Sequence, residues 1–241
     1  MVDKQQHQIL DAMGIQVWEL RHSIISPIEQ PGCIDTSDPE VEAKVEVRAT
    51  PPAIAKLDWQ DLQQTVAGCQ ACELHSTRTQ TVFGVGDQGA DWLFVGEAPG
   101  AEEDRRGEPF VGRAGQLLNA MLFALNLKRE QVYIANVLKC RPPANRDPAG
   151  KEVQHCEPYL LRQVELIQPR IIVALGRFAA QSLLKTTDPI SRLRGRSHQY
   201  ADTGIPLVVS YHPAYLLRSP IDKKKAWADL CLAQSLLGAL S

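Results

Sequence analysis

The feature that most constrains this chain is an alternation. Four short apolar runs, "DWLFVG", "QVYIANV", "RIIVALG" and "IPLVVSYH", are rich in Val and Ile and end on Gly, Asn or a turn residue. Runs of that length with no polar face are what strands buried on both sides look like. The segments "RAGQLLNAMLFALNL", "AGKEVQHCEPYLLRQVELIQ" and "RFAAQSLLK" lie between them and "DKKKAWADLCLAQSLLGAL" follows, all with i, i+3, i+4 apolar spacing. Strands alternating with helices predict a parallel sheet covered on both faces, so the expected fold is α/β: a three-layer αβα sandwich about a central four-stranded parallel sheet. Its ligand belongs at the carboxyl ends of the strands.

Polar side chains gather at those ends. Gly96-Glu97-Ala98-Pro99-Gly100 follows the first run, Asn136 and "KCRPPANRDP" the second, Gly176 the third, and Tyr211-His212-Pro213 the fourth. Each residue taken alone has a plain structural reading, as a strand cap, a core histidine or a turn. Four consecutive strand ends carrying such residues point to a site. A glycine-rich turn after a strand often cradles phosphate, but Glu102, Glu103 and Asp104 would repel one. The acids argue against a nucleotide-binding zinc protein.

Cysteine spacing adds a second centre. Cys69-x2-Cys72 offers two thiolates from one tight turn, Cys140 follows the second strand, and Cys156 lies on the next helix. Four thiolates in two pairs suit tetrahedral zinc or a cubane iron-sulfur cluster, and spacing alone does not separate these. His75 and His155 are substitute ligands, while Cys33 and Cys231 are left over as a stray thiol and a small core residue.

The amino-terminal quarter differs in kind. From Ser26 to Ala55 the chain is rich in Pro and acids, lacks aromatic residues and shows no period, as a flexible tether does. Residues 1 to 56 hold 9 acids and 5 bases, whereas the remainder holds 19 and 21. The body is therefore mildly basic although the whole chain has a net charge of -2. Ahead of the tether, "HQILDAMGIQVWELR" carries Ile9, Leu10, Met13, Ile15, Trp18 and Leu20, which suggests a docking peptide, while composition alone favours a disordered tail with incidental apolar residues. The expected organisation is a docking peptide at 1–25, an acidic, Pro-rich disordered linker at 26–56 and a catalytic domain at 57–241. No apolar run reaches the ~20 residues that span a bilayer, and the start lacks the basic flank and apolar stretch of a signal peptide. A cytoplasmic protein is expected, its cysteines free of disulfides.

The composite motifs "GEAPGAEEDRRGEPFVGRAGQLL", "NVLKCRPPANRDP", "RIIVALG" and "SYHPAYLLRSP", with the four cysteines, resemble the iron-sulfur uracil-DNA glycosylases of family 4 over Leu57 to Asp229. The resemblance implies a [4Fe-4S] cluster on Cys69, Cys72, Cys140 and Cys156, and hydrolysis of the bond joining uracil to deoxyribose in DNA. Carried onto matching positions, Phe110 is the stacking aromatic, Asn136 reads N3-H and O4, and His212 donates to O2 as the base departs. Ala98 and Gly100 complete the substrate-binding set.

Where better-known uracil glycosylases place a water-positioning carboxylate, this chain has Ala98. Glu97, Glu103 and Asn145 are the candidates left for catalysis: Glu97 to orient water or the loop, Asn145 to hold water, and Glu103 to face the C5 edge and exclude thymine. Glu102 and Asp104 read as solvated loop acids. Arg218 and Arg194 are the expected DNA-binding residues, with Arg192, Arg196 and Lys223 to Lys225 as further phosphate partners. His198 lies in a short segment unlike the insertion that carries a nucleophilic histidine in uracil-trapping relatives.

A second, shorter resemblance lies at the amino terminus. "LDAMGIQVWELR", through Leu10, Gly14-Ile15, Trp18, Leu20 and Arg21, is similar to the start of the psi subunit of the bacterial DNA polymerase III clamp loader. It implies a bacterial, nucleoid-associated enzyme held near new DNA. The alternative is a non-catalytic adaptor that keeps the glycosylase fold for binding and docks on the clamp loader.

Overall fold

The computed structural model describes residues 52–239; the expected docking peptide and most of the expected linker, Cys33 included, lie outside the described residues. The body begins earlier than residue 57. A helical turn at Pro52–Ala55 precedes α1 (Trp59–Ala67), and Ile54 and Leu57 pack with Leu62, Val66, Phe83 and Tyr159.

The four apolar runs form β2 (Trp92–Gly96), β3 (Tyr133–Asn136), β4 (Ile171–Leu175) and β6 (Pro206–Ser210). All four are parallel, as expected. Among the described residues the expected count of four is corrected to six, because β1 (Val85–Gly86) and β5 (Ser197–Gln199) add antiparallel strands at the two edges. Two residues and the polar triplet Ser-His-Gln offer no apolar alternation to read. The sheet order is β1-β3-β2-β4-β6-β5.

Each central strand buries both faces. Leu93 and Val95 of β2, Tyr133 and Ala135 of β3, and Ile172 and Ala174 of β4 point to one side, where α4 (Gly150–Ile167) and α5 (Arg177–Leu184) cover them. Trp92, Phe94, Ile134 and Val173 point to the other, beneath α3 (Arg113–Ala124) and α8 (Lys223–Ala239). The expected three layers are present. Shorter helices α2 (Ala101–Arg106), α6 (Ile190–Leu193) and α7 (Pro213–Arg218) lie in the connections. Among the described residues no helix is long and apolar enough to cross a membrane.

Strand order places the site. From β2 the chain steps first to β3 on one side and then to β4 on the other, so the connections leaving the carboxyl ends of β2 and β3 diverge and open a crevice there.

Candidate functional site

That crevice is a cavity of about 480 Å³, lined among others by Glu97, Ala98, Gly100, Glu103, Phe110, Asn136, Asn145, His212 and Arg218. All the expected substrate-binding and catalytic residues therefore meet in one place. Gly96 and Asn136 are register partners at the ends of β2 and β3. A Cβ on Gly96 would lie 2.4 Å from the Asn136 Oδ1 and 2.6 Å from the Phe110 ring, so only glycine lets both side chains close on the strand end.

Phe110 is held in place by several groups. Its φ of 53° is left-handed, a costly conformation for a residue with a side chain. The Glu103 carboxylate accepts the next two amides, Val111 N at 3.0 Å and Gly112 N at 3.2 Å. Arg129 donates to the preceding Pro109 carbonyl, and Gly115 is needed because a Cβ there would sit 1.7 Å from the Phe110 carbonyl oxygen. The ring ends 5.5 Å from that of His212, centroid to centroid and inclined by 30°. Glu103 thus has a bracing role that the sequence did not announce.

His212 caps α7. Its Nδ1 accepts the Ala214 amide at 3.1 Å, which leaves the ring proton of the neutral form on Nε2. Burial, with Arg218 adding to it and Glu103 opposing it, pushes the imidazole down to about 4. Above that pH the ring is a neutral donor.

Glu97 behaves in the opposite sense. Burial pushes its carboxyl up to about 7, with Asp147 adding to the rise and Arg177 opposing it. Asn145 is also left-handed, with φ 53°, and its Oδ1 accepts from Arg141 Nε at 2.8 Å. The cavity walls thus hold a carboxyl poised near neutrality and an exposed amide, but no carboxylate at Ala98. Arg146 and Tyr215 line the cavity too and were not singled out from sequence. Arg146, inside the "NRDP" motif, pairs with Glu152 at 2.5 Å, and the motif is the signal that points to it.

Other charged residues lie elsewhere. Asp104, expected to be a solvated loop acid, is buried and accepts from the Thr79 amide at 2.9 Å and hydroxyl at 2.7 Å. Glu102 is a surface acid paired with Arg105. Arg218 is exposed at the cavity mouth. Arg194, expected to contact DNA, turns inward: Nε and Nη2 grip the fully buried Asp229 at 3.1 and 2.9 Å, and only 15% of its side chain is exposed. His198, in the edge strand β5, uses Nε2 on the Leu193 carbonyl at 2.7 Å.

The four cysteines line a second, small pocket with Arg78, Lys139, His155 and Tyr159. Arg78 Nη1 donates to Cys140 Sγ at 3.0 Å, Lys139 N to Cys156 Sγ at 3.3 Å, and the Tyr159 hydroxyl to Cys69 Sγ at 3.3 Å. As free thiols three of them are hard to ionise, since burial pushes Cys156 up to about 12 and raises Cys72 and Cys140. Among the described residues no three His, Cys, Asp or Glu side chains converge as one metal ion would require. His75 and His155 bond to the Cys72 and Lys151 carbonyls, and Cys231 stands apart on α8.

Residues 83–231 match the model of the uracil DNA glycosylase superfamily. The chain is 49% identical to a type-4 uracil-DNA glycosylase of Archaeoglobus fulgidus over 74% of its own length and 92% of the relative's. It is 40% identical to one of Pyrobaculum aerophilum, over 73% and 93%, and 44% identical to one of Thermotoga maritima, over 66% and 82%.

Proposed function

Because the chain belongs to the uracil DNA glycosylase superfamily, we propose that it hydrolyses the N-glycosidic bond of uracil in DNA, leaving an abasic site for repair. The observation that carries this reading is the convergence of Asn136, Phe110 and His212 on one cavity at the strand ends. A uracil turned out of the stack lies on the Phe110 ring, a contact worth roughly 1 to 3 kcal/mol. Asn136 accepts from N3-H and donates to O4. Cytosine presents the reverse pattern and would leave the buried amide unpaired.

As the C1′–N1 bond breaks, its electron pair moves into the base and charge collects on O2. His212, neutral and with its proton on Nε2, donates there, by analogy with oxyanion-hole donors worth roughly 3 kcal/mol. Water adds to C1′ and loses a proton to Glu97, whose carboxylate form is half populated near neutral pH. Asn145 orients that water through its amide. Glu103 holds the Phe110 loop and lines the wall facing the base, where it excludes the methyl of thymine. Ala98 and Gly100 keep the turn close to the base. Arg218 pairs with phosphate at the cavity mouth, while Arg194 acts from beneath, holding α8 to the loop before β5.

Cys69, Cys72, Cys140 and Cys156 fit a [4Fe-4S] cluster. Four thiols share one pocket, and three of the sulfurs already receive donors. Such a cluster would cross-link the loop after α1 to the connection after β3 and to α4, a structural role. Residues 1–25 dock on the clamp loader of the replicative polymerase and hold a cytoplasmic enzyme near the nucleoid, a reading that rests on Leu10, Gly14, Ile15, Trp18, Leu20 and Arg21 alone. A pull-down in which deleting residues 1–25 changes nothing removes that docking. No observation favours the non-catalytic adaptor.

The test is strand scission at a single uracil in a labelled oligonucleotide. Cleavage by the parent, none on matched cytosine or thymine strands, and strong loss in Asn136→Ala support the enzyme. An inert, fully folded parent overturns it.

A further inference from the structure

The proposed reaction has no use for Lys139. Its side chain is 1% exposed, and the ammonium donates to Phe83 O at 3.2 Å, Asn136 O at 3.0 Å and Gln163 Oε1 at 2.6 Å. All three acceptors are neutral. They satisfy the three N–H groups but supply no opposite charge, and a buried ammonium without a counter-ion is strongly unfavourable. Gln163, itself fully buried, donates its amide to the same Phe83 carbonyl at 3.0 Å. Among the described residues no carboxylate forms an ion pair with Lys139.

Negative charge is available from one direction. Lys139 lines the cysteine pocket, its own amide donates to Cys156 Sγ, and Cys140 is its neighbour in sequence. An iron-sulfur core bound by four thiolates carries net negative charge, and that charge would be as poorly solvated as the ammonium beside it. Arg78 reaches the Cys140 sulfur from a partly solvated position. Lys139 is the fully buried cation at the same pocket, and its charge interacts with Cys156 and Cys140. Its ammonium also reaches the backbone carbonyl of Asn136, at the strand end where the candidate reading amide begins.

We propose that Lys139 is the counter-cation of the four-cysteine centre and, through its bond to the Asn136 carbonyl, the strut that ties this centre to the uracil-reading amide. The proposal rests on the cofactor reading above. It gives the cluster an influence on the site without contact with substrate. Lys139 is a positioning residue: it touches neither base nor water, and acts through Asn136.

Two variants test it on the full, cluster-loaded protein. Lys139→Met removes the charge while keeping most of the volume; Gln163→Glu keeps the lysine and gives it a private carboxylate. Iron and labile sulfide per chain, the midpoint potential of the cluster and the rate of iron loss to a chelator are measured for each, beside kcat/KM on uracil DNA. Both variants are expected to lower the potential, since positive charge near the cluster is removed or neutralised. Both should shed iron about 10-fold faster or more, the scale seen when partners behind metal ligands are removed. Lys139→Met should also lose kcat/KM on uracil, because the Asn136 carbonyl loses its donor, whereas Gln163→Glu keeps that bond and the parent's rate.

A folded Gln163→Glu protein with unchanged potential and iron loss overturns the counter-cation, even where Lys139→Met fails to fold. Unchanged uracil kinetics in folded Lys139→Met overturn the strut. A parent that purifies without iron overturns the cofactor reading and this inference with it.

Discussion

The cavity at the strand ends and the body beneath it hold their polar groups by opposite rules. Inside the body every charge has a protein partner: Arg194 grips Asp229, Asp104 takes the Thr79 amide and hydroxyl, and Lys139 has three acceptors. In the cavity two groups are held from behind and keep a polar end turned to the open space. His212 is fixed through Nδ1 and leaves Nε2 free, and Glu97 lies half-buried between Asp147 and Arg177 at a pH where it can take or release a proton. The difference separates residues that make the fold from residues proposed to meet a ligand.

The largest expected effect falls on the body. Arg194→Gln leaves Asp229 buried and uncompensated, and should cost about 3 to 5 kcal/mol of stability in denaturant titration while the salt dependence of DNA binding stays as in the parent. In the cavity, His212→Ala should lower kcat roughly a hundredfold, and stability should fall only by the lost helix cap, about 1 kcal/mol. A variant that lost both equally would erase the distinction.

Glu97 sharpens the comparison through pH. Its carboxyl titrates higher in the folded protein than in the unfolded chain, so the stability it contributes is present at low pH and is lost as pH rises through about 7. Glu97→Gln should therefore melt above the parent at pH 8 and no differently at pH 4. In the same variant the acid limb of kcat/KM, with a midpoint near 7, should disappear. The smallest effect belongs to Arg218, exposed at the mouth: Arg218→Gln should reduce the slope of log affinity against log salt by about 0.9 and leave thermal stability alone.

What was legible in the sequence follows the same division. The four central strands could be read because both of their faces are apolar, and the cavity because Asn136 and His212 sit where such strands end. The edge strands could not: one has two residues, the other is polar, and each owes its pairing to a neighbour already in place. Arg194 looked like a phosphate ligand because "SRLRGR" is basic, and its partner lies 35 residues away on α8. Lys139, in "KCRPP", was not singled out, and its burial appears only where the fold closes over it. Bracing by Glu103 depends on a left-handed turn at Phe110 that no local signal requires. Sequence showed what faces a ligand better than what faces another side chain.

The central claim is that Asn136 reads the base. The most direct measurement is the ratio of kcat/KM on a uracil strand to that on a matched cytosine strand, in the parent and in Asn136→Asp. A protonated aspartic acid can donate to cytosine N3 and accept from its N4 amine, the pattern that the amide rejects. The account predicts near-exclusive uracil release by the parent and a ratio lower by about a hundredfold or more in the variant. An unchanged ratio would contradict it and move the reading of the base to another wall of the cavity.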